Sequence, residues 1–345
     1  MPIDCRPRSF RAVRIPDHPN RKARPYVRPL ACVWRALALA ALVTTNAAAQ
    51  TARTPDSTAL RVSGYMQPRF QAVGDSASFI LRRARFAIEA KVTPAAFFRA
   101  QVEMRTAPPS GSGQATVLFS ATDLYVRMAR QGWSVTVGQF RVPFALEAIT
   151  SSSILETTER SLIVLRRNLR DIGVQVEWRA PDRLILQGAV VNGEGPNRLT
   201  NPDNRMDYLG RVVLTPVAGW GVGGAVEAHP DTAGWNLQTL VHRGRFRTRA
   251  EYIRVHDRRT AVDQVGWYAL AAYAVRPERL QLIGRVQQFD PSNRVATDRE
   301  TGYGLGAQYF IHGDDLKLMG DYNYFREQVT QRNNDVLVVQ MQVRW

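Results

Sequence analysis

Apolar and polar side chains alternate along this chain. From Arg83 to Val92, Arg83, Arg85, Glu89 and Lys91 share one face while Ala84, Phe86, Ile88, Ala90 and Val92 share the other. A period of two is strand geometry, because successive side chains leave an extended backbone on opposite sides. Thr93-Pro94-Ala95 breaks the pattern, and the next strand sets Arg99, Gln101, Glu103 and Arg105 against Phe98, Ala100, Val102 and Met104. A charged face could simply meet water on a soluble sheet, so one strand decides little. Repetition and turn length decide.

The alternation predicts strands near 60–73, 79–93, 97–107, 121–130, 133–143, 173–179, 183–192, 207–215, 219–228, 235–243, 245–255, 262–275, 280–289, 300–310, 315–325 and 336–345. Roughly sixteen strands is an even number within the range of single-chain bacterial barrels. Short connections such as Arg130-Gln131-Gly132 and Ala180-Pro181-Asp182 alternate with long ones at 108–120, 144–172, 193–206, 290–299 and 326–335. Short turns at one end and long loops at the other mark a transmembrane antiparallel β-barrel. An even strand count puts both termini of the barrel on the short-turn side. In the last strand Leu337, Val339, Met341, Val343 and Trp345 alternate with Val338, Gln340, Gln342 and Arg344, ending on an aromatic. Trp345 resembles the terminal residue of outer-membrane insertion signals, which makes the barrel-insertion machinery an expected partner. Trp133, Trp178, Trp220, Trp235, Tyr309 and Phe310 fall near expected strand ends, where interfacial girdles would lie.

The first fifty residues break this pattern. Eight arginines and Lys22 stand against Asp4 and Asp17, then come an apolar run from Ala36 to Val43 and Asn46-Ala47-Ala48-Ala49. Such an order describes a secretory signal peptide, expected to be cleaved near Ala49. We therefore divide the chain into a leader at 1–49, a linker at 50–58 and a barrel at 59–345. Both cysteines, Cys5 and Cys32, lie in the leader, so the remainder has no thiolate nucleophile, thiolate metal site or disulfide. No cofactor is expected.

The chain carries a formal charge of +16. Beyond the leader it stays basic almost entirely through arginine, the only lysines being Lys91 and Lys317. Arginine offers a planar fork that binds carboxylate or phosphate oxygens in pairs. These arginines are spread at strand spacing among acids, not clustered in a patch, which argues against nucleic-acid binding. No Gly-x-Ser-x-Gly or His-Glu-x-x-His motif is present, and His256-Asp257, expected in an outer loop, has no serine placed to join it.

Several segments are similar to one known family. They are Gly64-Tyr65-Met66-Gln67-Pro68-Arg69-Phe70, Leu81-Arg82-Arg83-Ala84-Arg85-Phe86, Val137-Gly138-Gln139-Phe140-Arg141-Val142-Pro143-Phe144 with Glu147, Glu159-Arg160, Arg170-Asp171-Ile172-Gly173, Val191-Asn192-Gly193 and Asp207 to Val212. In order and spacing they resemble the phosphate-selective porin O/P family. The resemblance covers about residues 60–345, with its motifs between 64 and 212. It implies an all-β barrel of sixteen strands, a homotrimer, and a third loop folded into the lumen. Arg141 stands where the family motif has lysine, and the lysine clusters of its best-studied members are missing. Phosphate specificity is thereby in question, while a preference for anions is not.

Charged side chains on the lipid face near the midplane would cost about 2–4 kcal/mol each. Polar faces must therefore turn inward if the chain sits in outer-membrane lipid. The expected lumen gains Arg83, Arg85, Lys91, Arg99, Arg105, Arg127, Arg141, Arg211, Arg247, Arg249 and Arg285, partly compensated by Glu89, Glu103, Asp123 and Glu251. The segment 144–172 is too long for a plain hairpin loop. It is expected to fold inward and set a constriction, with Glu147, Glu159, Arg160, Arg166, Arg167 and Arg170 as its charged residues; an external loop or a trimer latch is the alternative. The whole reads as a passive outer-membrane porin for small anions, phosphate-like or organic. A non-selective general porin and a structural or adhesive barrel remain the competing readings.

Overall fold

The structure is a computed structural model that describes residues 60–106, 117–181, 183–328 and 333–345. The expected leader and linker lie outside the described residues. Sixteen strands follow one another: β1 (Leu60–Val73), β2 (Ser76–Thr93), β3 (Ala96–Thr106), β4 (Val117–Arg130), β5 (Trp133–Arg141), β6 (Arg170–Ala180), β7 (Leu184–Val191), β8 (Asp207–Val217), β9 (Trp220–Ala228), β10 (Thr232–Arg243), β11 (Phe246–Asp257), β12 (Val262–Arg276), β13 (Leu280–Asp290), β14 (Glu300–His312), β15 (Leu316–Glu327) and β16 (Val336–Arg344). Two single-turn helices, α1 (Leu146–Ile149) and α2 (Leu162–Leu165), lie between β5 and β6.

Each strand pairs antiparallel with its sequence neighbours, and β16 returns to β1, closing the barrel. Closure removes both edges, so every strand's backbone groups find partners, which is the condition for strands to cross lipid. At the seam Tyr65 faces Arg344 and Val73 faces Val336. The backbone of Gly64 exchanges two hydrogen bonds with Trp345. A Cβ at Gly64 would meet the Trp345 ring at 2.5 Å, so glycine is needed for the terminal aromatic to seat there. Trp345 also packs on Phe86, with ring centroids 5.4 Å apart.

Burial follows the alternation. Leu124, Val126, Met128, Leu337, Val339 and Met341 are exposed, while Asp123, Gln340 and Gln342 in the same strands are buried. In a closed ring the sheltered face is the inner one, so this barrel is polar within and apolar without, the reverse of a soluble one. No helix among the described residues is long and apolar enough to cross a membrane.

At one end every connection is tight: 94–95, 131–132, 181–183, 218–219, 244–245, 277–279 and 313–315. Gln131 (φ 50°) and Gly132 (φ 83°) both have left-handed backbone, the requirement of a two-residue turn matched to strand twist. The expected loops at 108–120 and 326–335 lie partly outside the described residues. The other end carries the longer segments 142–169, 192–206 and 291–299, but also the short links 74–75, 229–231 and 258–261. The sequence reading did not separate these three from the tight side. His256 and Asp257 belong to the end of β11 and not to a loop; His256 Nδ1 lies 3.0 Å from Asp263 Oδ1 on β12.

Among the described residues, register shifts break the ladder at six places, four beside the tight turns and two within strands. Pairing of β1 with β2 jumps from Gln67–Arg83 to Pro68–Leu81, leaving Arg82 as an extra residue. Pairing of β3 with β4 jumps from Gln101–Asp123 to Val102–Ala121, leaving Thr122 extra. Proline cannot donate to a ladder and marks such bulges within strands.

Candidate functional site

The segment 142–169 is fastened from many sides to the sheltered faces of the strands. Gln67 on β1 and Gln342 on β16 donate to the carbonyls of Ser152 (3.3 Å) and Ser153 (3.0 Å). Gln308 on β14 donates to the carbonyls of Leu155 and Glu156. In the other direction, backbone N–H groups of Leu146, Thr158 and Leu162 donate to Glu251, Asp321 and Gln287. Loop backbone that leaves water must find such partners.

Apolar packing adds to these bonds. Phe144, Leu162, Ile163 and Val164 cluster with Ile253, Val255, Tyr268, Ile283 and Phe289 of β11 to β13. Ile163 is 1 % exposed, and Gly266 on β12 makes room for it: a Cβ there would lie 2.5 Å from Ile163 Cβ. The two ends of the segment are also tied to each other. Glu147 accepts from Ser161 N (2.7 Å), and Arg160 donates to the carbonyls of Glu147 and Thr150 and to Ser152 Oγ. Burial, with Arg83 and Arg141 nearby, pulls the Arg160 guanidinium down to about 9, so it remains charged at neutral pH.

The sheltered faces of β1 to β6 carry most of the charged contacts. Glu159 receives Arg69 (2.7 Å) and Arg82, with Arg83 at 3.6 Å. Its burial would raise its pKa, but Arg82, Arg83 and Arg69 outweigh that and hold the carboxyl well below the usual range. Arg85 pairs with Glu103 at 2.6 Å. Arg99 bridges Glu89 and Asp123, and Arg170 also binds Asp123, at 2.8 Å. On β11, Arg249 and Arg247 meet Glu156 of the segment at 3.0 and 3.4 Å. Arg285 donates to Glu159 O (2.8 Å) and Asn323 Oδ1 (3.0 Å).

Five of the expected lumen arginines pair with no carboxylate among the described residues: Arg105, Arg285 and the three that follow. Arg127 donates to Thr136 Oγ1 and sits over the rings of Phe97 and Tyr125, 5.5 and 5.3 Å from their centroids. Arg141 donates to Ile149 O, and Arg211 to Gln187 and Gln238. Arg127 and Arg141, with Arg99, Tyr125, Phe140, Ile149 and Gln175, line a cavity of about 310 Å³ between the segment and the β3–β7 wall. A cavity of about 300 Å³ is lined by Arg166, Arg167, Asp171, Asp207 and His229.

Two expected residues stand apart. Lys91 and Arg105 lie near strand ends, exposed and outside these clusters. Arg166 sits over Phe289, 4.4 Å from its centroid, and Arg167 pairs with Glu227. Three basic residues escaped the sequence reading. Arg69 lies in the quoted first-strand motif but was not singled out. Lys317, fully buried and 2.8 Å from Asp314, is the second. Arg82 lies in the quoted second-strand motif, just outside the alternating run that opens at Arg83; the bulge opposite Pro68 lets it share Glu159 with Arg83, and Pro68 was the signal that could have found it.

Solved barrels share this architecture. The trimer form of OmpT, an outer membrane protein of Vibrio cholerae, superposes with a TM-score of 0.62 at 10% identity, covering 84% of this chain and 100% of that one. The outer membrane channel DcaP of Acinetobacter baumannii gives 0.60 at 8% identity, covering 85% and 99%. A mutant of the Rh. blastica porin gives 0.55 at 15%, covering 83% and 100%. Among curated proteins no relative matches. The phosphate-selective porin O and P family matches over residues 62–244 and 220–345, nearly all of the barrel. Sixteen strands closed on themselves, a polar inner face and this match agree: the chain belongs to the phosphate-selective porin O and P family, whose fold is that of bacterial outer-membrane channels.

Proposed function

We propose that this barrel is a passive pore for small anions, with the sheltered arginines lining its path. The observation that carries the reading is the set of arginines without acid partners. Arg127, Arg141 and Arg211 donate to neutral oxygens and form no ion pair, and Arg127 and Arg141 line an open cavity whose wall sets three guanidinium groups, with Arg99, against the two carboxylates of Asp123 and Glu177. A surplus of one sign in a low-dielectric cleft concentrates ions of the other sign and speeds their entry. Conduction further requires that binding be weak enough for release. The paired arginines meet that requirement by being partly neutralised.

In this reading the segment 142–169 narrows the passage, and its glutamine and apolar anchors keep the constriction in place. Small oxyanions, phosphate-like or organic carboxylates, are the solutes that guanidinium forks suit. A homotrimer seated in outer-membrane lipid belongs to the same reading, as do Trp345 as the insertion signal and export by a leader at 1–49.

Reversal potentials across planar bilayers in a potassium chloride gradient test it. The intact protein should favour chloride, and a triple R127Q, R141Q, R211Q variant should move the reversal potential toward zero. An intact pore that favours potassium would defeat the proposal.

A further inference from the structure

The carboxylate of Glu159 fills a site that the barrel wall builds from three guanidinium groups. Arg69 Nη1 donates to Oε1 at 2.7 Å, Arg82 grips both oxygens as a fork with Nη2 on Oε2 at 3.0 Å, and Arg83 Nη2 stands 3.6 Å from Oε2. One negative charge answers three positive ones. Donors are left over: Arg83 is 3 % exposed with no partner for its Nε, and the Nε of Arg69 is likewise buried and unpartnered.

The strands, and not Glu159, set the backbone positions of the three arginines. Arg69 sits on β1, and the bulge opposite Pro68 sets Arg82 beside Arg83 on β2. Glu159 is brought to them on a tether whose backbone is pinned separately, Thr158 N to Asp321 and Glu159 O to Arg285. About a fifth of the Glu159 and Arg82 side chains remains open to solvent. The geometry, planar forks on two oxygens of one carbon, is that of an oxyanion site in use.

We propose that Glu159 is a tethered occupant of the arginine cluster of Arg69, Arg82 and Arg83, competing there with permeating carboxylate or phosphate groups. Glu159 shortens the stay of a solute at the most basic point of the wall. The inference rests on the anion-pore reading above and adds to it a residue that sets solute dwell.

The test is block of single-channel chloride current by inorganic phosphate, with the full chain in planar bilayers. E159Q should lower the half-blocking phosphate concentration tenfold or more, because the site loses its built-in competitor. E159D keeps the charge and should block as the intact protein does. Adding R82Q to E159Q should abolish the gain. An unchanged half-blocking concentration in E159Q, or an E159D that behaves like E159Q, overturns the proposal, as does a gain that survives R82Q. If E159Q fails to assemble, R83Q alone should raise the half-blocking concentration at least threefold, and no change there overturns the proposal. The intact protein's reversal potential separates the two levels. Potassium selectivity refutes the anion pore itself, whereas a chloride-selective pore with unaltered E159Q block refutes only the role of Glu159.

Discussion

Arginine is used in two ways at the level of single side chains. Arg69, Arg82, Arg85, Arg99, Arg170 and Arg249 are tied to carboxylates, whereas Arg127, Arg141 and Arg211 donate to neutral oxygens. Arg160 also donates to neutral oxygens, but all of them belong to its own segment, which its bonds hold together. Replacing it by methionine strands two carbonyls and a hydroxyl, at about 1–3 kcal/mol for each group left unsatisfied. A lowered melting temperature, with the barrel's far-ultraviolet dichroism intact before melting, is the expected result. Glu159 gives a pH signature. Its pKa is depressed by folding, so the stability it contributes is present above the unfolded value and is lost as pH falls through the folded one. The difference in melting temperature between the intact protein and E159Q should therefore be full at pH 7, persist to pH 5, and shrink in stronger acid. Period two was enough to find Arg83, Arg85 and Arg99 from sequence. Pairing partners were not legible, because a carboxylate from residue 159 meets residues 69, 82 and 83 only after the strands have closed.

Strands were the most legible elements. Every expected strand is present, because a face meeting lipid and a face meeting water write opposite residues at every second position. The bulges at Arg82 and Thr122 were not anticipated, since one extra residue inverts the alternation locally and looks like noise in a short window. The segment 142–169 announced itself by length and by its apolar residues. Its anchoring on β11 to β13 did not, because those contacts span about a hundred residues of sequence. The fit of α2 against β12 yields a prediction. G266V would force Ile163 away from the wall, since even a Cβ at that position lies 2.5 Å from Ile163 Cβ. The barrel should still form, and single-channel conductance should change from that of the intact protein. I163A, which removes buried methyl groups without a clash, should cost about 2–5 kcal/mol of local anchoring. Faster proteolytic cleavage between 142 and 169 would report it.

For the molecule as a whole, closure matters most. The seam joins the first and last strands, and Trp345 completes it by covering Gly64 and stacking on Phe86. Deleting Trp345 should lower the yield of folded barrel in outer-membrane fractions severalfold, scored by the heat-dependent mobility shift on gels. G64V, whose added carbons would meet both the Trp345 ring and the Arg85 carbonyl on β2, should act in the same direction.

Lysine scarcity has a practical consequence. Of the two lysines beyond residue 49, Lys317 is sealed in the wall against Asp314, and Lys91 stands exposed where β2 nears its turn. An amine-directed fluorophore would thus attach to the folded barrel at one side chain, at a known rim, besides the terminal amine. No cysteine lies beyond residue 49, so in a chain that starts there none competes with a thiol-directed second dye at an engineered position. Distances between two such dyes could then follow the segment against the tight-turn rim one molecule at a time.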